Sequence, residues 1–476
     1  MEYAKHNKHD LFVAFMDYEK AFDFMNRAKL IEKMMNHNMG KKLIEATANM
    51  YSYTAYIPKE SNTTLGDKIE TKHGVTQGKV SSANLYSFYV SDMPDCLKDN
   101  ICDFMDPFNL AQLADDTATF ACSLLSLRDR IIQLLRYSKE NFQEANIDKT
   151  KYLHLSDNPT TDPIIIDDSQ RIDSAHDKGY VYIGMLFIAS ILIEKQIVAN
   201  INARMGNIHK FYAWLEYNMS TPIKIKLLVL YNCTFSALLY GVETWWDIEC
   251  FSERISLIER KALRRCLGIK SSTPDNLLFI ELNRGDIISD ILDRQSKFFK
   301  KLLSLPKEEC LVRNLMELCN ELDIIKHYED LSNNNKNNNL AKKKSDTENS
   351  TSSMTKRYHE LTNNEYNPAI YESFMKEELR IILTRWRLSC HTLEIQTGRF
   401  KDIPREERLC IWCNVLGDEE HAIFVCRAYT SIRTQFKDLL NENKSIREVL
   451  NPKDRSTAEQ VGLMLKLIEE RRKKLL

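Results

Sequence analysis

Several absences narrow the field before any motif is considered. The 476-residue chain has no excess of charge of either sign: 66 Lys and Arg face 67 Asp and Glu, a formal net charge of -1. Bulk electrostatics therefore argue neither for nor against a nucleic-acid partner. There is no cysteine framework either. The 12 cysteines lie without regular spacing in a long chain, which argues against a disulfide scaffold and suits a reducing compartment, cytoplasm or nucleus. Met1-Glu2-Tyr3-Ala4-Lys5-His6 lacks the apolar core of a signal peptide. No apolar run reaches the length of a membrane span; the longest, Leu227 to Leu239, is broken by Tyr231, Asn232, Thr234 and Ser236. What remains is ordinary for a globular protein, 43% apolar and 28% charged, with room for about two or three domains.

The first strong pattern is Leu11-Phe12-Val13-Ala14-Phe15-Met16, an apolar run of strand length suited to burial on both faces. It delivers Asp17 at its end, with Phe22 five residues on. Helical spacing follows over Arg27 to Asn38, stopped by Gly40, and again over Lys41 to Tyr53. Short strands are expected between Thr54 and His73. Gly74-Val75-Thr76-Gln77-Gly78 then brackets a Gln between glycines ahead of a helix running from about Ser81 toward Asp92. Taken alone this is a loop and N-cap, though such a Gln can also approach a sugar-phosphate closely.

Leu110 to Ala121 reads as a tight β-hairpin with Asp115 and Asp116 at its turn. Adjacent acids in a turn are commonly a solvated loop. In an apolar setting their repulsion is relieved by a divalent cation, and oxygen ligands suit Mg²⁺ or Mn²⁺. A helix is expected over Ser126 to Ala145, then the turn Asn146-Ile147-Asp148-Lys149-Thr150 and a strand over Lys151 to Leu155. This order is that of an α+β sheet with helices on one face.

Short strands continue to Phe187, and the chain then turns helical over Leu192 to Leu215, Pro222 to Trp245, Phe251 to Leu267 and Ile287 to Ser304. Arg254, Arg260, Lys261, Arg264 and Arg265 crowd the third of these, a solvated face or a phosphate contact. Ser332 to Ser353 is nearly devoid of apolar residues and reads as a disordered linker; Lys342-Lys343-Lys344 inside it is a charged stretch or a weak nuclear-import signal. Further on, Cys410, Cys413, His421 and Cys426 give C-x2-C-x7-H-x4-C. Three thiolates and an imidazole make a closed tetrahedral Zn²⁺ set, hence a structural site. Arg471-Arg472-Lys473-Lys474 reads as a basic tail.

In order, these motifs resemble the reverse transcriptase of non-LTR (LINE-like) retrotransposons. Phe15 to Asp23 resembles that family's first palm motif, Gly74 to Gly78 the second, Ala114 to Thr117 the third and Asn146 to Thr150 the fourth. Tyr182-Ile183-Gly184 resembles the element that grips the primer. Leu238 to Trp245 and the Cys/His knuckle are also typical. The resemblance implies a right-hand polymerase palm over 1–158, the end of the palm and a helical thumb or connector over 159–330, a linker over 331–365, and a C-terminal region with a zinc knuckle over 366–476. It implies an RNA-directed DNA polymerase that adds dNTPs to a DNA primer on an RNA template. Asp17, Asp115 and Asp116 would hold two Mg²⁺ or Mn²⁺ ions. Phe22 would lie under the incoming sugar and exclude a 2′-hydroxyl, Gln77 and Gly78 would line sugar and template, and Lys149 would steady or protonate the leaving phosphate. The zinc knuckle would bind nucleic acid.

The pattern departs from the family at named places. The chain starts only a few residues before the Asp17 strand, leaving no room for the fingers, so a truncated protein is expected. No endonuclease domain is visible. Lys79-Val80-Ser81-Ser82-Ala83 stands where a Pro-containing segment is usual, and Leu113 where an aromatic is usual. The alternative to a polymerase is accordingly an inactive remnant that binds RNA or DNA through its thumb and knuckle.

Overall fold

The computed structural model describes residues 1, 4, 9–57, 59–60, 63–64, 66–76, 79–97, 109–306, 330, 339–348, 352–440 and 444–476. They divide into two compact units, the first taking described residues to Asn200 and the second those from Ile201 onward.

In the first unit the apolar run Leu11–Met16 is strand β1, with every side chain buried. Four helices follow it, α1 (Ala21–Phe24), α2 (Arg27–Asn36), α3 (Lys41–Tyr51) and α4 (Val80–Tyr89). The sheet is completed by β2 (Leu110–Leu113), β3 (Asp116–Ala121) and β4 (Lys151–Leu155). Its order is β2-β3-β1-β4, and every neighbour is antiparallel. Side chains of β1 alternate between the faces. Phe12 and Ala14 pack with Leu127 and Ile131 of α5 (Leu124–Glu140). Leu11, Val13 and Phe15 instead meet the hairpin β5 (Tyr180–Tyr182) and β6 (Met185–Phe187), where Phe15 stacks on Tyr180 at 4.5 Å. Helices thus cover one face, and a hairpin seals the other. The continuous apolar run is the signature of that two-sided burial. Cys122, just after β3, is disulfide-bonded.

The helix expected over Ser126 to Ala145 ends at Glu140, because the following backbone is used elsewhere: Asn146 N–H donates to Asp17 O at 2.8 Å and Glu19 N–H to Glu144 O at 2.8 Å. The single helix expected over Leu192 to Leu215 is two, α6 (Ile193–Arg204) and α7 (Gly206–Tyr217). Asn200 on α6 clips onto the hairpin, exchanging bonds with the backbone of Leu186 at 2.7 and 2.9 Å.

The second unit is helical. After α8 (Ile223–Leu228) the chain widens into a π-helical stretch over Val229–Phe235, which interrupts the helix expected to Trp245. Then come α9 (Ser252–Leu267), α10 (Asp275–Glu281) and α11 (Ile287–Ser304). The linker expectation for 331–365 is overturned over most of its described part: α12 (Asn339–Glu348) and α13 (Ser353–Thr362) are helices. Lys343 is docked rather than free, with Nζ 2.8 Å from Asp286 Oδ2 and 4.3 Å above the Phe279 ring. On α13, Met354, Tyr358 and Leu361 are buried.

The boundary near residue 330 also gives way. Glu281 at the end of α10 pairs with Arg387 at the end of α14 (Glu377–Arg387), Nε to Oε1 2.6 Å, and both are 0% exposed. The hydroxyls of Tyr358 and Tyr371 donate to the same carboxylate. Arg385 donates twice to Gly268 O, at 2.8 and 3.1 Å. The helices before residue 306 in this unit and the C-terminal region are therefore one folded body. Arg387→Met is expected to cost about 3–5 kcal/mol, since it strands a buried carboxylate; urea unfolding measures it, and adding Glu281→Gln is expected to recover part of the loss.

A second buried acid makes this unit sensitive to pH. Glu259 accepts from Tyr231 Oη at 2.6 Å and from Ile287 N–H at 3.0 Å. Burial outweighs both bonds and lifts its carboxyl from 4.5 to about 7. A group that holds its proton more tightly when folded contributes fully below 4.5 and loses that contribution as pH rises to about 7. Melting is expected to fall across that window, and Glu259→Gln to flatten the slope in thermal scans.

Candidate active site

Three carboxylates converge at one end of the sheet. Asp17 follows β1 directly, and Asp115 lies in the two-residue turn between β2 and β3, whose register pairs Leu113 with Asp116. The turn demands an unusual backbone: Ala114 has φ +56°, which an L-residue with a Cβ adopts only when its surroundings enforce it. Asp17 and Asp115 are half-buried and Asp116 is exposed. The Asp116 carboxyl is raised by partial burial first, then by the charges of Asp115 and Asp17. That mutual repulsion is what a divalent cation relieves, so these hard oxygen donors fit Mg²⁺ or Mn²⁺. The three do not draw to within 4.8 Å of one another as the cysteine and histidine ligands below do.

The fourth motif is fastened to Asp17 from the side. Asp17 N–H lies 3.4 Å from Thr150 Oγ1, Lys149 N–H donates to Asn146 Oδ1 at 3.1 Å, and Asn146 Nδ2 reaches Glu19 Oε1 at 3.3 Å. Lys149 Nζ stands 3.4 Å from Asp17 Oδ2, and its side chain is 68% exposed. It is an exposed cation at the rim of the acids.

The second motif is only partly placed, for Gln77 and Gly78 lie outside the described residues. The preceding loop is held firmly. Val75 N–H donates to Phe22 O at 2.9 Å and Gly74 N–H to Met25 O at 2.8 Å. Gly74 has φ +78°, and a Cβ there would sit 2.5 Å from Asp23 O; only glycine fits. Arg27 clamps the loop with bonds to Gly74 O and Thr71 O, both 2.8 Å. This places the loop against Phe22, whose ring packs on Tyr86 of α4 with centroids 4.5 Å apart.

The hairpin β5–β6 adds a link that residue patterns did not show. Its turn puts Ile183 at φ +48° and Gly184 at φ +72°, the two-residue turn that suits a twisted hairpin. A β-branched residue at positive φ is an outlier. Tyr182 Oη lies 3.1 Å from Ala111 O and 3.2 Å from Asp116 O, tying this hairpin to the acidic one. Nothing in the alternation of β5 distinguishes Tyr182 from a packing residue. Tyr86 was findable, because Ser82, Tyr86 and Tyr89 form the buried stripe of α4.

In the second unit, Cys410, Cys413, His421 and Cys426 bring their ligand atoms within 4.8 Å of one another, the one such group of three or more metal-binding side chains among the described residues. Cys426 Sγ is 3.7 Å from Cys410 Sγ and 3.8 Å from Cys413 Sγ. Thiolates about 2.3 Å from a tetrahedral Zn²⁺ stand about 3.8 Å apart, so the spacing fits. His421 Nε2 is buried without a hydrogen-bond partner, as a ligand nitrogen would be. The first two cysteines share a tight turn, with Cys410 N–H on Val415 O at 2.7 Å and Asn414 at φ +54°. Buried Glu419 fastens the module to its surroundings, bonding His391 Nε2 at 2.8 Å, Ser389 Oγ at 2.6 Å and Arg357 at 2.9 Å.

The basic segments are largely spoken for. The terminal basic run is the end of helix α16 (Arg455–Leu475, with α15 at Ile446–Leu450 before it). Within it Arg472 is buried, 2.8 Å from Glu394 and 5.6 Å from the Trp412 ring centre. On α9, Arg260 pairs with Glu253 at 2.8 Å, Arg264 pairs with Asp275, Arg265 lies 3.9 Å over the Tyr212 ring, and Arg254 bonds Asn202. Lys261 is exposed. These arginines of α9 thus have partners within the unit.

Comparison with known proteins places this geometry. Residues 1–187 match the family described as reverse transcriptase (RNA-dependent DNA polymerase). No curated protein matches the chain. Among solved structures it is similar to telomerase from Candida albicans, solved with a fragment of telomeric RNA, at 12% identity over 70% of this chain and 51% of that one, TM-score 0.27. The telomerase of Candida tropicalis gives 13% identity, 70% and 50% coverage, and TM-score 0.28. The chain spans about half the length of these structures. At such scores they carry no further argument.

Proposed function

Starting from a reverse transcriptase domain at residues 1–187, we propose that this protein is the RNA-directed DNA polymerase of a non-LTR retrotransposon, extending a DNA primer with dNTPs on an RNA template. The observation that carries the reading is the convergence of Asp17 with Asp115 and Asp116, with the Asn146–Thr150 turn bonded to the Asp17 backbone. Two Mg²⁺ or Mn²⁺ ions held by these acids would acidify the primer 3′-hydroxyl and offset charge on the triphosphate and the departing pyrophosphate.

The chain's own groups do the positioning, which is most of the catalysis in phosphoryl transfer. The enforced turn at Ala114 aims Asp115, and Tyr182 holds that turn against the hairpin that would carry the primer end. The ring of Phe22 would bear on the incoming sugar. Gln77 and Gly78 would line sugar and template. Lys149, exposed at the rim, would steady or protonate the leaving phosphate. In the second unit Cys410, Cys413, His421 and Cys426 would hold a structural Zn²⁺, and the knuckle so formed would contact nucleic acid. The test is Mg²⁺-dependent extension of a DNA primer annealed to an RNA template.

A further inference from the structure

Phe22 does not stand alone. Its ring is half-buried, and Tyr86, fully buried on α4, packs against it with centroids 4.5 Å apart and planes 30° from each other. Tyr86 is itself anchored at its far end, where Gln143 Nε2 donates to its hydroxyl at 2.7 Å. Gln143 belongs to the same connection, after α5, that leads into the Asn146–Thr150 turn. The backbone side is held as well: Val75 N–H donates to Phe22 O at 2.9 Å, and Gly74 lies so near Asp23 that a Cβ there would sit 2.5 Å from Asp23 O. The Phe22 ring is therefore held both through its backbone and by a flat partner in the core.

From this geometry we infer that Tyr86 is a positioning residue for sugar selectivity: it fixes the plane of Phe22, and through it the exclusion of ribonucleotides. The inference rests on the polymerase reading and deepens it. Rejection of one added hydroxyl by an apolar wall is a matter of tenths of an ångström and of modest free energy. A wall free to tilt gives that discrimination away, while the acids that perform the chemistry stay where they are.

The test compares kcat/KM for a deoxyribonucleotide and for its ribonucleotide on one primer–template, using the full chain. Tyr86→Met keeps an apolar side chain of adaptable shape in the core but removes the flat face. It is expected to lower the deoxy-to-ribo ratio about tenfold, chiefly through faster ribonucleotide use. Tyr86→Phe, which keeps the face, is expected to hold the ratio near wild type. A folded Tyr86→Met protein with an unchanged ratio overturns the inference. Should Tyr86→Met not fold by circular dichroism, Tyr86→Leu carries the test: it likewise removes the flat face against Phe22, and the ratio is expected to fall about tenfold. An unchanged ratio there overturns the inference as well. Wild-type protein that incorporates neither nucleotide overturns the polymerase reading, and this inference with it; wild-type selectivity with variants that share it overturns the inference alone.

Discussion

Cys413→Ser is expected to release one Zn²⁺ per chain and to loosen the second unit as a whole, lowering its melting temperature by well over the few degrees of an ordinary surface change. Structural zinc in small modules supplies on the order of 10 kcal/mol of folding free energy. Here the consequence spreads, because the knuckle is fastened from within. Glu419, between the second cysteine and His421, is bonded to Ser389, His391 and Arg357. Burial alone would raise its carboxyl, but His391 and Arg357 outweigh that and hold it far below the usual range. Arg472 spans from Glu394 to the Trp412 ring. Metal analysis of purified protein, followed by thermal melts of wild type and variant, checks this. Wild-type protein without bound zinc contradicts it.

Asp115→Asn is expected to reduce primer extension about 10³-fold, several kcal/mol of lost stabilisation, while leaving nucleic-acid binding intact. The side chain keeps its size, so the Ala114 turn and the Tyr182 contacts to Ala111 O and Asp116 O are retained. Only the charge that would hold the cation is lost. Gel-based extension under single-turnover conditions, alongside a binding titration, separates the two effects. Extension within tenfold of wild type would remove Asp115 from the catalytic set.

Much of the site was legible because its signals are local. Six apolar residues followed by Asp17 suit a strand buried on two sides, and the structure seats it in the interior of the sheet. The Ala-Asp-Asp turn and the Cys/His spacing likewise carry their geometry within a few residues. What sequence could not show depends on distant partners. Glu281 and Arg387 lie 106 residues apart, and neither residue's surroundings announce that they will be buried together. That pairing is why the expected domain boundary near 330 dissolved. Composition misled in the Asn- and Lys-rich stretch, where Asn339–Glu348 is helical and Lys343 finds Asp286. The arginines of α9 read as a solvated face or a phosphate contact, and Glu253, Asp275 and Tyr212 had to be seen to know which groups they meet.

The central claim is tested most directly by incubating the wild-type chain with an RNA template, an annealed DNA primer, dNTPs and Mg²⁺. The account predicts primer extension that requires the divalent ion, disappears with chelator and copies the RNA sequence. Absence of extension with Mg²⁺ and with Mn²⁺ at excess nucleotide, from protein that is folded, zinc-loaded and bound to the primer–template, would contradict it and leave a nucleic-acid-binding protein in its place.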